Sequence, residues 1–519
     1  MDYNLIILIA VVLLFFIYQK YQKTEALNNI NNPESIEFLD ETILRIRCQY
    51  KEFDWQEPYL EQSSKESIGS GFFIDDKGHI LTNYHVVEEA IKVFVQIPKY
   101  GNKTFDCEVL SIYPFRDIAL LKIKEHKNSR YLTLGDSDKI IKGNVSYAVG
   151  YPLGQNKFKV TSGVVSGFQD GDIQMDSPIN PGNSGGPLVN ENLEVIGINY
   201  SGFSEAQNVG YAIPINYVKI IMDDMRKKKI IFNPIMGCSF NNTNKSMLKY
   251  TQLCDSAYYI SYVGKNSPME KAGVKAGDLI CSVDGINIDN YGELLLPQNN
   301  SHFHIFDYLN YKRVGDKLKL KVIKLEEGNI STMDKEIVLG NSEYYKVRDK
   351  YPGYEEIDYQ IIGGMVIMEL TRNHIEVMKE NTNIKKFKRV DELVDSKLII
   401  TKIIKGSALG EDNIFIAPCV LNEVNGEEVK TLKQLRNALP KFKENNGHKF
   451  ISFLTENHKF IILDINKIKQ EEEFLSKKFN YEITKYTKKL LGYYESKKTI
   501  SAPAMAKHSP PAEKPQLNQ

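Results

Sequence analysis

The sequence lacks several patterns that would point to a specific chemical class. Its six cysteines include no C-x-x-C pair, so a metal-binding or redox motif has no support. Basic and acidic residues both number 66, so no basic excess indicates nucleic-acid binding. No P-loop is present that would couple the protein to ATP hydrolysis. The sequence therefore gives no support for a metal-binding, redox, nucleotide-dependent or nucleic-acid-binding function.

Length and composition predict a globular protein of several domains. At ~150 residues per domain, the 519 residues correspond to about three or four units. A hydrophobic content of 42% with 25% charged residues is typical of globular proteins. Six cysteines would permit disulfides, but a chain of this size does not need them. Buried free thiols are therefore expected.

The N-terminus carries an uninterrupted apolar run, Leu5 to Ile17. This length often marks a signal peptide, but a signal peptide needs a basic leader, and Asp2 is the one charged residue before the run. We therefore expect a retained single-pass membrane anchor over residues 1–22. Lys20 and Lys23 follow the run, and the positive-inside tendency would hold the catalytic body in the cytosol.

The rest of the chain changes character several times. Short alternating strands separated by Gly, Asp and Asn turns predict an all-β unit. Two mixed α/β units with similar strand-turn-strand patterns follow it, and the Pro- and Ala-rich C-terminus is expected to be disordered. The expected divisions are a linker or N-terminal segment at 23–64, the all-β unit at 65–230, α/β units at 234–342 and 357–470, and a helical then disordered tail at 471–519.

Three separated residues form the strongest chemical signal. Ser184 stands among glycines in "GNSGGPLV", His85 closes the run "GHILTNYHVV", and Asp117 opens the apolar strand "RDIALLKI". A serine hydroxyl needs a base to remove its proton and a third group to orient that base. Each residue alone has an ordinary structural explanation as a surface histidine, a turn aspartate or a glycine-rich turn. Their occurrence together in one all-β unit favours catalysis.

These motifs resemble the HtrA (Deg) family of trypsin-like serine proteases. The resemblance rests on "GSGFFIDDKGHILTNYHVV", "RDIALLKI" and "NPGNSGGPLVN", and "IIGGMVIMELT" is similar to the plant-type Deg branch. It implies a mainly β fold, with a chymotrypsin-type double β-barrel followed by two PDZ-like α/β domains after the N-terminal anchor helix. It also implies that Ser184 is the nucleophile, His85 the general base and Asp117 the residue that orients it.

The resemblance implies further site residues. The N–H groups of Gly182 and Ser184 would form the oxyanion hole. In trypsin-like folds the residue six before the nucleophile forms the floor of the S1 pocket, and here it is a proline rather than an aspartate. A small apolar pocket, and cleavage after Val, Ala, Ile or Leu, are therefore expected. The expected pocket residues are Pro178, Ile179 and Ile198.

The downstream units resemble PDZ domains, which bind the C-terminus of a peptide by strand addition. In the first unit the expected carboxylate-binding loop consists of Ile235, Met236, Gly237 and Cys238. The second unit is a weaker match, since no clear carboxylate loop precedes Leu398, and it is expected to serve assembly rather than peptide capture.

The preferred hypothesis is an ATP-independent, membrane-anchored serine endopeptidase that acts on unfolded or damaged proteins. The family implies no cofactor, no metal and a homotrimer or multiple of trimers, with Phe53 and Trp55 as candidate contacts between subunits. The main alternative is a scaffold or chaperone-like binding protein with an idle barrel. A third hypothesis is a processing protease with one dedicated substrate.

Overall fold

The computed structural model describes residues 33–124, 127–200, 209–297, 301–326, 329–407, 409–410 and 414–493. Within these ranges, no helix has both the length and the apolar character that a bilayer crossing requires. The expected anchor at 1–22 and the far C-terminal tail lie outside the described residues. The described chain folds into two closed barrels followed by two mixed units.

The first barrel has six strands in the order β1-β2-β3-β6-β5-β4. It begins earlier than expected, because helix α1 (Pro33–Thr42) leads directly into a strand at Ile43. The segment 23–64 is therefore not a linker throughout. In this strand Arg45 and Arg47 alternate with buried apolar residues, a half-buried β pattern. The strands are β1 (Ile43–Tyr50), β2 (Lys65–Phe73), β3 (His79–Thr82), β4 (Ala90–Gln96), β5 (Thr104–Tyr113) and β6 (Ile118–Ile123).

The second barrel shares a hydrophobic core with the first. Its six strands close in the order β10-β11-β12-β9-β8-β7. Phe72 and Leu120 from the first barrel lie in one buried cluster with Val149 and Val189 from the second, so the two barrels pack as one body. The strands are β7 (Val145–Gly150), β8 (Lys159–Gln169), β9 (Asp172–Met175), β10 (Pro187–Val189), β11 (Val195–Tyr200) and β12 (Gly210–Pro214).

Helix α2 (Ile215–Met225) closes the double barrel. The sequence predicts a helix from Tyr217 to Lys229, and the observed helix begins two residues earlier and ends four residues earlier. Its buried face, which includes Tyr217 and Val218, packs into the shared core. The basic residues after Met225 lie beyond its end.

The first mixed unit is built on the sheet β14-β15-β16-β20-β21. The described residues leave the outer edge of β14 without a partner strand. The unit contains β13 (Pro234–Ile235), β14 (Cys238–Asn241), α3 (Lys245–Thr251), β15 (Tyr258–Val263), α4 (Pro268–Lys271), β16 (Leu279–Val283), β17 (Ile286–Asn287), β18 (Glu293–Leu296), β19 (Ser301–His304), α5 (Ile305–Tyr308), β20 (Lys317–Glu326), β21 (Asn329–Val338) and β22 (Gly340–Asn341).

A disulfide joins Cys254 to Cys281 in this unit. The expectation that the thiols are free is therefore wrong for these two residues, and it holds for the buried thiols of Cys48, Cys107 and Cys238. Cys254 precedes β15 and Cys281 lies in β16, which are neighbouring strands. The sequence separation of 27 conceals that proximity.

The second mixed unit is built on the sheet β23-β24-β25-β26-β29-β28. The helix Ile465–Phe479 runs through the expected boundary at 470, and a further helix follows it. The unit contains β23 (Tyr359–Ile362), β24 (Met365–Glu369), α6 (Arg372–Val377), α7 (Thr382–Lys385), β25 (Leu398–Ile403), β26 (Cys419–Val424), β27 (Glu427–Glu428), α8 (Leu432–Ala438), β28 (Lys443–Asn445), β29 (His448–Thr455), β30 (Phe460–Asp464), α9 (Ile465–Phe479) and α10 (Lys485–Leu490).

The segment between β1 and β2 packs on this second unit. Trp55 is 7% exposed and lies in a cluster with Met368 and Phe387. Its indole ring meets the imidazole of His374 edge to face, with the ring centres 5.0 Å apart. The hydroxyl of Thr401 donates a hydrogen bond to the carbonyl of Gln56. Trp55 thus has an intramolecular packing role.

Candidate active site

The loop that carries Ser184 is held so close to other backbone that side chains are excluded. Gly182 has φ of +97°, and a Cβ there would lie 2.2 Å from the carbonyl oxygen of Tyr151. A Cβ on Gly186 would lie 2.0 Å from the carbonyl oxygen of Val149. Real Cβ atoms do not tolerate such distances, so glycine is required at both positions. The glycines expose the backbone of this loop beside the nucleophile candidate.

His85 and Asp117 form a direct pair. Nδ1 of His85 lies 2.7 Å from Oδ2 of Asp117, and the backbone N–H of His85 donates to Oδ1 at 2.8 Å. The two contacts fix both the imidazole and the carboxylate. Asp117 adopts a left-handed conformation (φ +53°) at the end of the turn Pro114–Arg116, and aspartate tolerates this better than most residues. The geometry suits an aspartate that orients a histidine base.

The nucleophile loop meets the segment that leads to His85. A Cβ on Gly185 would lie 3.1 Å from the backbone nitrogen of Asn83 and 2.2 Å from Oγ1 of Thr82. Ser184 itself is 4% exposed. Within the described residues, no hydrogen bond joins its hydroxyl to the His85 ring. Catalytic hydrogen bonds of this kind are often long before substrate binds.

Two backbone N–H groups beside Ser184 are available to a ligand. Asn183, Gly185 and Gly186 each donate to a carbonyl oxygen. Among the described residues, the N–H groups of Gly182 and Ser184 donate to no such partner. These are the two donors that the sequence assigns to the oxyanion hole, and their geometry is compatible with binding a developing negative charge.

The surroundings of His85 favour its protonated form. Burial lowers the pKa of the imidazole, but the hydrogen bond and charge of Asp117, with the charge of Glu88, outweigh burial and raise it above its ordinary value. Burial also raises the pKa of Glu88, and it raises that of Glu89 to about 7. A base with a raised pKa removes a proton well but needs a higher pH to be neutral.

A cavity of about 430 Å³ adjoins His85. Its walls include two carboxylates that follow the histidine in sequence, Glu88 and Glu89. The backbone N–H of Phe53 donates to the Glu89 carboxylate at 3.0 Å, which holds the segment between β1 and β2 against the cavity. The cavity is lined by Tyr50, Glu52, Phe53, Ser67, His85, Glu88 and Glu89.

The three residues expected to form the S1 pocket lie in different surroundings. Pro178 is exposed, and Ile179 packs against a cluster that includes Ile140 and Met175. Ile198 has no exposed surface and lies in the core shared by the barrels. Ile198 therefore packs in the shared core, and Ile179 packs against a separate cluster. The sequence alone could not show whether Ile198, in β11, lines the pocket or packs in the core.

The expected peptide loop of the first mixed unit is partly buried. Ile235 pairs with Gly340, and Met236 lies in the core of the unit. Gly237 has φ of +75°, and a Cβ there would lie 2.5 Å from the Cβ of Ser267. Cys238 then begins β14, whose outer edge is open. The loop thus leads into a strand that can accept an added peptide strand.

The equivalent edge of the second mixed unit is covered. Strand β24 pairs with β25 on one side and with β23 on the other, in antiparallel register from Tyr359 opposite Met368 to Ile362 opposite Met365. The unit's own chain therefore takes the position beside β24 that an added peptide would take.

Sequence reasoning missed the residues that support the His85–Asp117 pair. The backbone N–H of Tyr84 and the side-chain amide of Asn83 both donate to the carbonyl oxygen of Asp117, at 3.1 and 2.9 Å. Their position immediately before His85 in "TNYH" is a signal that could have identified them.

Comparisons with known proteins agree with this geometry. Residues 69–198 match the trypsin-like peptidase domain family, and residues 259–300 and 347–486 match two PDZ domain families. The chain is similar to proteins of the HtrA/Deg family. The chain resembles the periplasmic serine endoprotease DegP of Escherichia coli, with 36% identity over 248 residues that cover 45% of this chain and 52% of DegP.

Further HtrA-type proteins show a similar overlap with this chain. The serine protease Do-like HtrA of Bacillus subtilis is 31% identical over 311 residues, which cover 54% of this chain and 65% of that protein. The chain spans about half the length of the curated relatives it matches. A solved HtrA-type protease, AlgW with a tripeptide, is 24% identical, with a TM-score of 0.46 and coverage of 59% of this chain and 95% of AlgW.

Proposed function

We propose that the protein is an ATP-independent serine endopeptidase that degrades unfolded or damaged proteins. The observation that carries the proposal is the His85–Asp117 pair beside a loop where Ser184 and two free N–H groups share a glycine-lined turn. Similarity to relatives that are named serine proteases supports the same activity.

The residues act in sequence during the proposed reaction. His85 Nε2 accepts the proton of Ser184 as its Oγ attacks the scissile carbonyl carbon, and Asp117 stabilises the imidazolium. The electron pair of the carbonyl moves onto its oxygen, where the N–H groups of Gly182 and Ser184 stabilise the charge. His85 then gives its proton to the leaving amine, and water releases the acyl group by the reverse series of steps.

A casein degradation assay tests the activity. Ser184→Ala removes the nucleophile, so degradation should fall to background, by ~10⁶ in kcat for a complete triad loss. The melting temperature and the oligomeric state should match the parent. A variant that degrades casein as fast as the parent would exclude Ser184 as the nucleophile. An inactive parent that binds unfolded protein would favour the scaffold hypothesis instead.

The substrate preference is a separate proposal. Position 178 carries proline, so no carboxylate stands there to bind a basic side chain, and we expect cleavage after Val, Ala, Ile or Leu. Matched fluorogenic peptides with Val or Lys before the cleaved bond test this. Faster cleavage of the Lys peptide would contradict it.

Peptide recognition and assembly extend the proposal. The open edge of β14 supports capture of peptide C-termini by the first PDZ unit, whereas the covered edge of β24 supports an assembly role for the second. A homotrimer or a multiple of it is expected, and light scattering of the purified protein measures it. A monomer would contradict this assembly.

Membrane attachment is proposed from the apolar run Leu5 to Ile17, and flotation with membranes tests it. Lys20 and Lys23 favour a cytosolic catalytic body, whereas the Cys254–Cys281 disulfide is typical of oxidising compartments. Protease added to the cytosolic face of isolated membranes decides the side. Digestion of the body supports the lysine argument, and protection of the body supports the disulfide argument.

A further inference from the structure

Ser70 connects the first barrel to the second through two hydrogen bonds to the nucleophile loop and one from Tyr151. It lies in β2 and has no exposed surface. Its backbone N–H donates to the carbonyl oxygen of Ser184 at 2.8 Å. Its hydroxyl donates to the carbonyl oxygen of Gly182 at 2.6 Å and accepts from the N–H of Tyr151 at 2.9 Å. One serine therefore holds the backbone on both sides of Asn183.

Three glycines pack against Ser70 and fix its position. A Cβ on Gly150 would lie 2.8 Å from Ser70 Oγ, and one on Gly186 would lie 3.2 Å from Ser70 Cβ. A Cβ on Gly185 would lie 2.2 Å from the Ser70 carbonyl oxygen, which accepts a hydrogen bond from Thr82. The Ser70 hydroxyl uses both its donor and its acceptor capacity in a buried, closely packed site. The Ser70 hydroxyl is therefore already held in its bonding orientation before substrate binds.

Hydrogen bonds on both sides of Gly182 help to set the direction in which its backbone N–H points. The N–H of Leu153 donates to the carbonyl oxygen of Pro181 at 2.6 Å. In a trans peptide the C=O and N–H point in opposite directions, so this bond directs the Gly182 N–H away from Leu153. On the other side of Gly182, Ser70 holds the carbonyl. Because Tyr151 also donates to Ser70, the same hydroxyl fixes the loop that carries Leu153.

We propose that Ser70 is a positioning residue for the oxyanion hole, an inference that rests on the proposed protease function. Ser70 acts through Gly182 and Tyr151 rather than by touching substrate. Loss of its hydroxyl removes the bond to the Gly182 carbonyl and loosens the loop at Tyr151, whose Leu153 N–H helps to set the direction of the Gly182 N–H. This change raises the free energy of the transition state more than that of the substrate complex. The oxyanion charge develops in the transition state, and the substrate complex depends less on these donors.

The test is Ser70→Ala in the full chain, with kcat and KM measured on an apolar peptide substrate. Active sites are first titrated with a fluorophosphonate, so that kcat refers to correctly folded sites. We expect kcat per titrated site to fall about tenfold to a hundredfold, below the loss from deleting a donor outright, with KM unchanged. Inhibition by a peptide boronic acid, whose tetrahedral adduct also places an oxygen in the hole, should weaken by a similar factor.

Ser111→Ala is the matched control. Ser111 is a fully buried serine in β5 of the same barrel, and its hydroxyl has no hydrogen-bond partner among the described residues. It should retain the parent kcat. Equal kcat values per site for the Ser70 and Ser111 variants would overturn the proposal. So would a Ser70 variant that loses titratable sites but keeps kcat per site, since Ser70 would then serve folding alone.

The two proposals fail in different ways. If the parent neither reacts with the fluorophosphonate nor cleaves peptides, the protease function fails before any substitution is made, and the role of Ser70 fails with it. If the parent is active and Ser70→Ala behaves like Ser111→Ala, the protease function stands and the role of Ser70 fails alone.

Discussion

The phenolic hydroxyl of Tyr354 donates a hydrogen bond to the backbone carbonyl of Val87, two residues after His85. Its ring also packs near that of Tyr84, the residue before His85, with the ring centres 6.2 Å apart. Tyr354 belongs to the segment that joins the two PDZ units, at the start of the second matched PDZ region. That distant segment therefore supports the turn that carries His85, the proposed base.

Tyr354→Phe should lower kcat/KM about threefold to tenfold, because a hydrogen bond contributes ~0.5–1.5 kcal/mol and its loss loosens the His85 turn. Peptide cleavage assays measure this. Tyr493→Phe is the control, because it removes a similar bond, from the Tyr493 hydroxyl to the Lys469 carbonyl, in the second PDZ unit. Equal losses in the two variants would show that Tyr354 does not support the base.

The pH dependence of kcat/KM should report the raised pKa of His85. If the neutral imidazole acts as the proposed base, activity should rise with pH through a midpoint above 6.5, the ordinary histidine value. Glu88→Gln removes a negative charge that favours the imidazolium, so its midpoint should move to lower pH. Glu427→Gln, in the second PDZ unit, should not shift it. A higher midpoint for Glu88→Gln would contradict the electrostatic explanation.

Gly182→Ala should reduce kcat by ~10² or more, because its Cβ would collide with the Tyr151 carbonyl and displace an oxyanion donor. Gly143→Ala is a close control, since Gly143 also has positive φ, at +88°, but a Cβ there meets no atom within 4 Å. Both substitutions carry backbone strain of about 1 kcal/mol. Comparable activity loss in both variants would attribute the effect to strain rather than to the site.

Reduction of the Cys254–Cys281 disulfide should lower the free energy of unfolding of the first PDZ unit by about 3–4 kcal/mol, for a loop of 27 residues. Urea unfolding with and without dithiothreitol measures the change. The double variant Cys254→Ser, Cys281→Ser should be insensitive to the reductant. If reduction leaves the parent unfolding curve unchanged, the disulfide does not form in the protein.

The sequence predicts the candidate catalytic residues of this protein better than the elements that surround them. Short motifs identify the domain types, and the structure pairs His85 with Asp117 as their order suggests. The residues of each motif lie close together in the sequence, so a sequence pattern alone can identify them. In strand β1 the half-buried Arg45 and the exposed Arg47 interrupt the apolar run, so the sequence does not mark this segment clearly as a strand.

Relationships between distant segments were beyond the reach of the sequence. Ser70 and Gly182 are 112 residues apart, and Tyr354 and Val87 are 267 apart, so no spacing rule connects them. Trp55 illustrates the same limit, since an aromatic residue in an N-terminal segment fits a subunit contact as well as a core. Its burial against the second PDZ unit depends on tertiary packing.

Mass-spectrometric mapping of a fluorophosphonate adduct on the purified protein tests the central claim most directly. The probe labels a serine whose proton a neighbouring base removes. We predict one adduct, on the peptide that contains Ser184, absent from Ser184→Ala and strongly reduced in His85→Ala. A folded chain that degrades casein while Ser184 stays unlabelled, or that is labelled at another serine, would contradict the assignment of the nucleophile.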